Sequence, residues 1–115
     1  MPNTLWHILD QFVETSEIAI DRPKGSPHPR FPQIIYPLDY GYLSNTSGGD
    51  GNEIDVWIGS RPGKPFDAIV CTADIHKRDA EIKLLLGCTA EEKEIIYNFY
   101  KTHGMGVMVI ERETN

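Results

Sequence analysis

The chain has no apolar run approaching the roughly 18 residues of a membrane span, no pair of cysteines at CxxC spacing, a deficit of basic residues, and no internal repeat or low-complexity tract. Each absence removes a class of function. Without a long apolar run, and without a charged-then-apolar leader, neither membrane insertion nor secretion is expected, and a cytoplasmic protein is. The two cysteines, Cys71 and Cys88, are distant in sequence, so reduced and partly buried thiols are expected rather than a disulfide or a zinc site. With 11 Lys and Arg against 17 Asp and Glu, the net charge is −6 and the pI about 5.1, so bare electrostatics repel nucleic acid and free phosphate alike. A phosphate ligand has to arrive with metal. The 115 residues, 40% hydrophobic, suit one domain over residues 1–115 with one core, and no boundary separates two compact halves.

What is present is acidic and local. Gly49-Asp50-Gly51-Asn52-Glu53-Ile54-Asp55-Val56 sets two carboxylates around a glycine turn that runs straight into an apolar strand. Oxygen donors suit Mg²⁺ or Mn²⁺, and a turn lets Asp50 and Asp55 converge on one point. The same residues also describe a solvated turn, because Gly, Asn and Asp tolerate positive φ and cap their own backbone. An EF-hand is excluded, since Asp55 stands where that loop needs glycine and Arg61 where it needs glutamate.

A second acidic pair, Asp74 and Asp79, brackets Ile75-His76-Lys77-Arg78 between two apolar runs and reads as a hairpin mouth, or as an ordinary charged loop on a solvated edge. If the four aspartates share a cleft, each pair at about 5 Å repels by about 3 kcal/mol at an effective dielectric near 20. Protons or cations have to relieve that repulsion.

These segments, taken with three others, resemble the soluble family I inorganic pyrophosphatases. Ile20-Asp21-Arg22-Pro23-Lys24-Gly25-Ser26 is similar to the family's opening strand and PKGS turn. Tyr36-Pro37-Leu38-Asp39-Tyr40-Gly41-Tyr42 is similar to its YPxxYGY segment, and Tyr100-Lys101 to a Tyr-Lys pair near the chain end. The likeness runs in blocks from about residue 17 to 101. It implies Mg²⁺-dependent hydrolysis of pyrophosphate to two phosphates, with Mn²⁺ as a possible substitute, by a protein that mainly positions charge. By resemblance Asp50, Asp55 and Asp79 hold the tightest ion, and Asp55 also reaches the ion carrying the nucleophile. Asp74 recruits the metal that accompanies substrate, and Asp21 stands where the family has a glutamate near the site. Arg30, Lys83 and Lys101 grip substrate oxygens, with Tyr40 and Tyr100 donating hydroxyls. Read from the residues alone, the lysines are solvated surface, the tyrosines half-buried core, and Arg30 a partner for some exterior acid.

Two departures bear on activity. Asn52 occupies the place of the aspartate assigned as proton acceptor for the attacking water, and asparagine cannot take that proton. Losing a general base costs about 10² to 10⁴ in rate, so a weakened enzyme is expected. The chain also lacks the hairpin that the family inserts between Arg30-Phe31-Pro32 and Ile35-Tyr36-Pro37, along with a phosphate-binding arginine. That leaves one wall of the cleft open to a larger substrate. A hydrolase of another phosphorylated small molecule and a non-catalytic barrel binding metal or phosphate are therefore carried as alternatives. A homo-oligomer is expected by resemblance only.

For the fold, Leu5, Ile8, Leu9, Phe12 and Val13 recur at helical spacing behind Asn3 or Thr4 as cap, which predicts an amphipathic N-terminal helix. Strands are predicted at Ile18 to Ile20, Ile54 to Ile58, Ala68 to Thr72, Ile82 to Leu86 and Gly106 to Ile110. Thr89 with Glu92 forms a capping box for a C-terminal helix that carries Tyr100 and Lys101 and stops at Gly104. The fold class is β-rich α+β, which the resemblance makes a small five-stranded OB-like β-barrel with an N-terminal and a C-terminal helix. A nucleic-acid role does not follow, because OB-type binders need a basic groove with stacking aromatics.

Overall fold

A computed structural model describes residues 4–113. In chain order the elements are α1 (Thr4–Thr15), β1 (Ile18–Arg22), β2 (Asp39–Leu43), β3 (Ile54–Ile58), β4 (Phe66–Asp74), β5 (Asp79–Leu86), α2 (Ala90–Thr102) and β6 (Gly106–Glu111). The strands form one mixed sheet in the order β1-β2-β3-β5-β4-β6, with β3 and β5 parallel and the other neighbours antiparallel. The β-rich α+β class with one helix at each end is as expected. The strand count is six rather than five, and the edge strands β1 and β6 do not pair, so the ladder stays open.

The added strand is β2. Gly41 and the preceding Pro37 weaken its strand signal in the sequence, yet the neighbouring β1 needs the glycine. A Cβ at Gly41 would stand 1.9 Å from the backbone oxygen of Ala19 on β1. The close approach of β1 to β2 therefore rests on a missing side chain.

Period-two alternation divides the core between the two faces of the sheet. Tyr40, Trp57, Val70 and Leu85 point to the face covered by α2, where Ile96 and Tyr100 join them; Leu43, Val56, Ile69, Leu84 and Leu86 point to the face covered by Trp6 and Leu9 of α1. β5 is thus buried on both sides from Lys83 to Leu86, which is why it reads as a continuous apolar run. Each of those leucines contributes about 1.5–3 kcal/mol by burial, and truncating one to alanine would cost about 2–5 kcal/mol.

The helix ends are as the sequence predicted. Thr89 accepts the Glu92 amide at 3.1 Å, and Glu92 accepts the Thr89 amide at 2.8 Å. Glu92 also accepts the amide of Ser60 at 3.0 Å, so the same carboxylate ties the exit of β3 to the start of α2. Gly104, at φ 79°, ends the helix. For α1 the buried residues are Trp6 and Leu9, whereas Leu5, Ile8 and Phe12 stay exposed, so the buried stripe is narrower than the sequence spacing suggested. The candidate cap Asn3 lies outside the described residues. Arg112, beyond β6, fastens α1 by donating to both oxygens of Asp10 at 2.7 Å, with its guanidinium over the Trp6 ring. Cys71 and Cys88 are free thiols, and burial pushes Cys88 up to about 12. No described helix is long and apolar enough to cross a membrane.

Candidate functional site

The site forms where β3 and β5 lie side by side. Asp55 sits on β3 two positions before Trp57, and Asp79, Glu81 and Lys83 alternate on the same face of β5. Tyr40, opposite Trp57 on β2, donates its hydroxyl to Oδ2 of Asp55 at 2.6 Å. Nζ of Lys83 donates to the Tyr40 hydroxyl at 2.9 Å and lies 3.5 Å from Glu81 and 3.9 Å from Asp55. The Trp57 indole N–H donates to the Tyr100 hydroxyl at 3.0 Å, and Lys83 lies 5.2 Å from the centroids of both the Tyr40 and Tyr100 rings. Three strands and α2 therefore meet on one buried ammonium.

The electrostatics are lopsided. Burial pushes Asp55 above the ordinary carboxylate value, and the bond from Tyr40 and the charge of Lys83 offset only part of that. Glu81 is pushed up too, first by burial and then, against Lys83, by its side-chain hydrogen bond with Asp50 and the charges of Asp55 and Asp50. Burial works to strip the proton from Lys83, but Tyr100, Glu81 and Asp55 outweigh it and hold the ammonium above its usual value. Desolvation raises Tyr40 and Tyr100 far enough to keep both as neutral hydroxyl donors.

The glycine turn reaches this cluster from outside. Gly51, at φ 85°, lets the chain reverse, and Asp50 accepts the Asn52 amide at 3.0 Å. Those backbone bonds, with the Glu81 contact, hold the exposed Asp50 below the usual range. The hairpin mouth reaches it from the other side. Asp74 stands opposite Asp79 across β4 and β5, and Oδ1 of Asp74 caps the amides of His76 and Lys77 at 2.9 and 3.2 Å. The Lys77 amide bond lowers Asp74 in turn. Glu81 is the hinge between the two groups, hydrogen-bonded to Asp50 while lining a cavity of about 550 Å³ together with Asp74, Asp79, Lys83, Tyr40 and Tyr100.

Of the other candidates, Arg30 lines that same cavity from the short segment joining β1 to β2. Asp21 falls at the irregularity in the β1–β2 ladder between Ile20 and Arg22, and its charge is felt by Asp55. Asn52 is exposed, with its amide nitrogen 3.4 Å from Asp50. Lys101 is the residue not brought in, because its Nζ lies over the Tyr97 ring, 5.8 Å from the centroid, on another face of α2. Three participants went unnamed in the sequence reading: Glu81, Trp57, and Arg22, which donates to the Tyr36 hydroxyl at 2.6 Å. The alternation Asp79, Glu81, Lys83 was the signal that could have found the first.

Among the described residues no three acidic, His or Cys side chains form a ready-made metal cage. The donor set still fits a hard divalent cation, since Asp50, Asp55 and Glu81 offer only oxygen, and the one ammonium of Lys83 pairs with Asp55 and Glu81 but not with Asp50.

No family model matches the chain. A stretch of 62 residues is 36% identical to the inorganic pyrophosphatase of Corynebacterium glutamicum, covering 54% of this chain and 35% of that protein, so the match spans about a third of that relative's length. An inorganic phosphatase from Anaplasma phagocytophilum superposes with a TM-score of 0.57 at 17% identity, over 82% of this chain and 81% of that one. The chain has an inorganic pyrophosphatase-like fold. Within the pyrophosphatase-like fold, β3 and β5 are the strands that carry the ionic cluster, and the connections at their ends bring in the remaining acids.

Proposed function

We propose that this chain hydrolyses inorganic pyrophosphate to two phosphates with Mg²⁺, Mn²⁺ being able to serve in its place, and at a rate reduced by Asn52. The observation that supports this most is the unbalanced pairing of Asp55 and Glu81 with the single ammonium of Lys83, with Asp50 beside Glu81, in a pyrophosphatase-like fold. Asp50, Asp55 and Glu81 would hold the cation, with Asp79 and Asp74 on the cavity wall and Asp21 adding negative charge behind Asp55. A bound divalent ion lowers the pKa of a water toward neutrality and screens the charge of the phosphates.

The chain's own groups do the remaining work. Lys83 keeps its proton and offers a fixed positive charge to a substrate oxygen, aided by Arg30 at the rim. Tyr40 fixes one oxygen of Asp55, leaving the other free, while Tyr100, bonded to Trp57, holds Lys83 in place. Asn52 can orient a water through its amide but cannot accept its proton, which leaves proton transfer to solvent or a neighbouring carboxylate. Lys101 would join the phosphate contacts by leaving the Tyr97 ring. Assembly into a homo-oligomer and a cytoplasmic setting belong to the same reading.

The deciding assay is phosphate release from pyrophosphate by the purified protein, with and without Mg²⁺. Metal-dependent release is expected, and its absence at any divalent ion concentration would overturn the reading.

A further inference from the structure

The cavity that holds the hairpin acids is much larger than a small inorganic anion needs. At about 550 Å³ it falls in the range of about 300–1,000 Å³ typical of cavities that enclose an organic ligand. Its lining is of two kinds. Asp79, Glu81 and Lys83 are the ionic groups described above. His28, Phe31, Tyr36, Phe99 and His103 supply rings, of which Tyr36 and Phe99 abut the Tyr40 and Tyr100 rings beside Lys83.

Those five rings form an unbroken chain of contacts. Phe31 meets His28 at 5.3 Å, His28 stacks on Tyr36 at 6.1 Å with planes 9° apart, Tyr36 meets Phe99 at 5.8 Å, and Phe99 meets His103 at 4.9 Å. Phe31 ends the chain with half its surface exposed, at 49%. Large exposed rings need a reason when they line a cavity rather than lie scattered over a surface. The segment that presents Phe31 is short and held, with Pro27 bridged to Ile35 and the His28 amide donating to the Ile34 carbonyl at 2.8 Å, so the ring stands on a fixed base.

We propose that the site takes a pyrophosphoryl group carrying a planar aromatic substituent, as in a nucleoside diphosphate, with the base on the Phe31 ring chain and the phosphates at Lys83. This rests on the phosphoanhydride hydrolysis proposed above and names the substrate class of that same site. A nucleoside diphosphate is pyrophosphate esterified at one end, so the same chemistry applies. Water adds to the terminal phosphorus and the bridging P–O bond breaks, leaving a nucleoside monophosphate, phosphate and one proton. Stacking tolerates different bases, because every base presents a π face, so little preference among bases is expected.

The test is calorimetric binding in Mg²⁺ of α,β-methylene-ADP, of methylenediphosphonate as its bare counterpart, and of an alkyl ester of methylenediphosphonate. The nucleoside analogue is expected to bind on the order of tenfold more tightly than the other two, with the advantage lost in Phe31→Ala and kept in Phe31→Tyr. Equal binding of all three would overturn the inference while leaving pyrophosphate hydrolysis standing. Equal binding of the nucleoside and alkyl compounds above the bare one would overturn the aromatic preference, as would an advantage that survives Phe31→Ala. Binding of none of them would overturn both this inference and the hydrolysis on which it rests.

Discussion

Two ionic clusters of similar size lie on this molecule, and they have opposite electrostatics. In one, Asp67 pairs with Arg61 at 2.7 Å and Lys93 at 3.2 Å, and Lys93 pairs with Glu111 at 2.9 Å. Two acids meet two bases there. Burial would push Asp67 up, but the bonds from Arg61 and Lys93 outweigh it and hold its carboxyl below the usual value. In the other, a single buried ammonium faces Asp55 and Glu81, Asp50 adds a third acid beside Glu81, and both Asp55 and Glu81 are pushed up. The first cluster is balanced in charge and fastens β6 and α2 to the start of β4. The second is short of positive charge, as a group built to receive a cation should be.

The largest expected effect comes from breaking the incomplete cluster. Asp55→Asn removes the carboxylate that accepts from Tyr40 and pairs with Lys83, and metal-dependent phosphate release should fall by at least about a hundredfold. Normal rates in that variant would remove Asp55 from the site. Next, Asn52→Asp adds an acceptor for the proton of the attacking water, and pyrophosphate turnover should rise on the order of a hundredfold. A flat or lower rate would mean that the water is activated elsewhere.

The two clusters should also part on pH. Asp55 and Glu81 have raised folded values, so their ionised forms cost stability above those values, and the cost is relieved as pH falls toward the ordinary 3.8 and 4.5. Asp67 is depressed, so its contribution is present above 3.8 and is lost only as pH falls through its lower folded value. Protons compete with the cation at the second cluster alone. A rise in melting temperature on adding Mg²⁺ should be full at pH 8 and fade as pH falls through the raised values of Asp55 and Glu81, while the Asp67 cluster stays intact. Thermal melts across that range check it, and a Mg²⁺ shift undiminished below pH 4 would take both carboxylates away from the ion. The smallest effect is Arg61→Ala, which breaks a part-exposed pair. It should cost no more than about 1 kcal/mol in a denaturant melt and leave turnover unchanged.

Much of this was legible in the residues, for reasons that differ from place to place. β3 was found at its observed bounds because Ile54 to Ile58 is a β-branched run following a glycine turn, and the α2 cap was found because Thr89 and Glu92 stand at capping-box spacing. β2 was missed as a strand because its central Gly41 lowers strand propensity, and the reason for that glycine, the backbone of β1, is not local. Among the candidate site residues, Asp50 and Asp55 stood out by type and spacing, whereas Lys83 came only from the family resemblance. Glu81 did not, because its meaning comes from Asp50, 31 positions earlier and on a different element. Lys101 beside Tyr100 was read as one unit with it, yet adjacent residues on a helix point about 100° apart, so Tyr100 faces the sheet while Lys101 lies over Tyr97.

The hydrogen bond between Trp57 and Tyr100 gives the molecule an internal optical reporter. The indole is fully enclosed and one phenol away from Lys83, so a charge arriving at that lysine changes the field across the ring. Trp6 is the second indole, and it belongs to α1 and packs on the opposite face of the sheet. Replacing Trp6 with phenylalanine would leave an emission spectrum that belongs to Trp57 alone, and occupancy of the cleft could then be followed in unlabelled protein on the timescale of mixing.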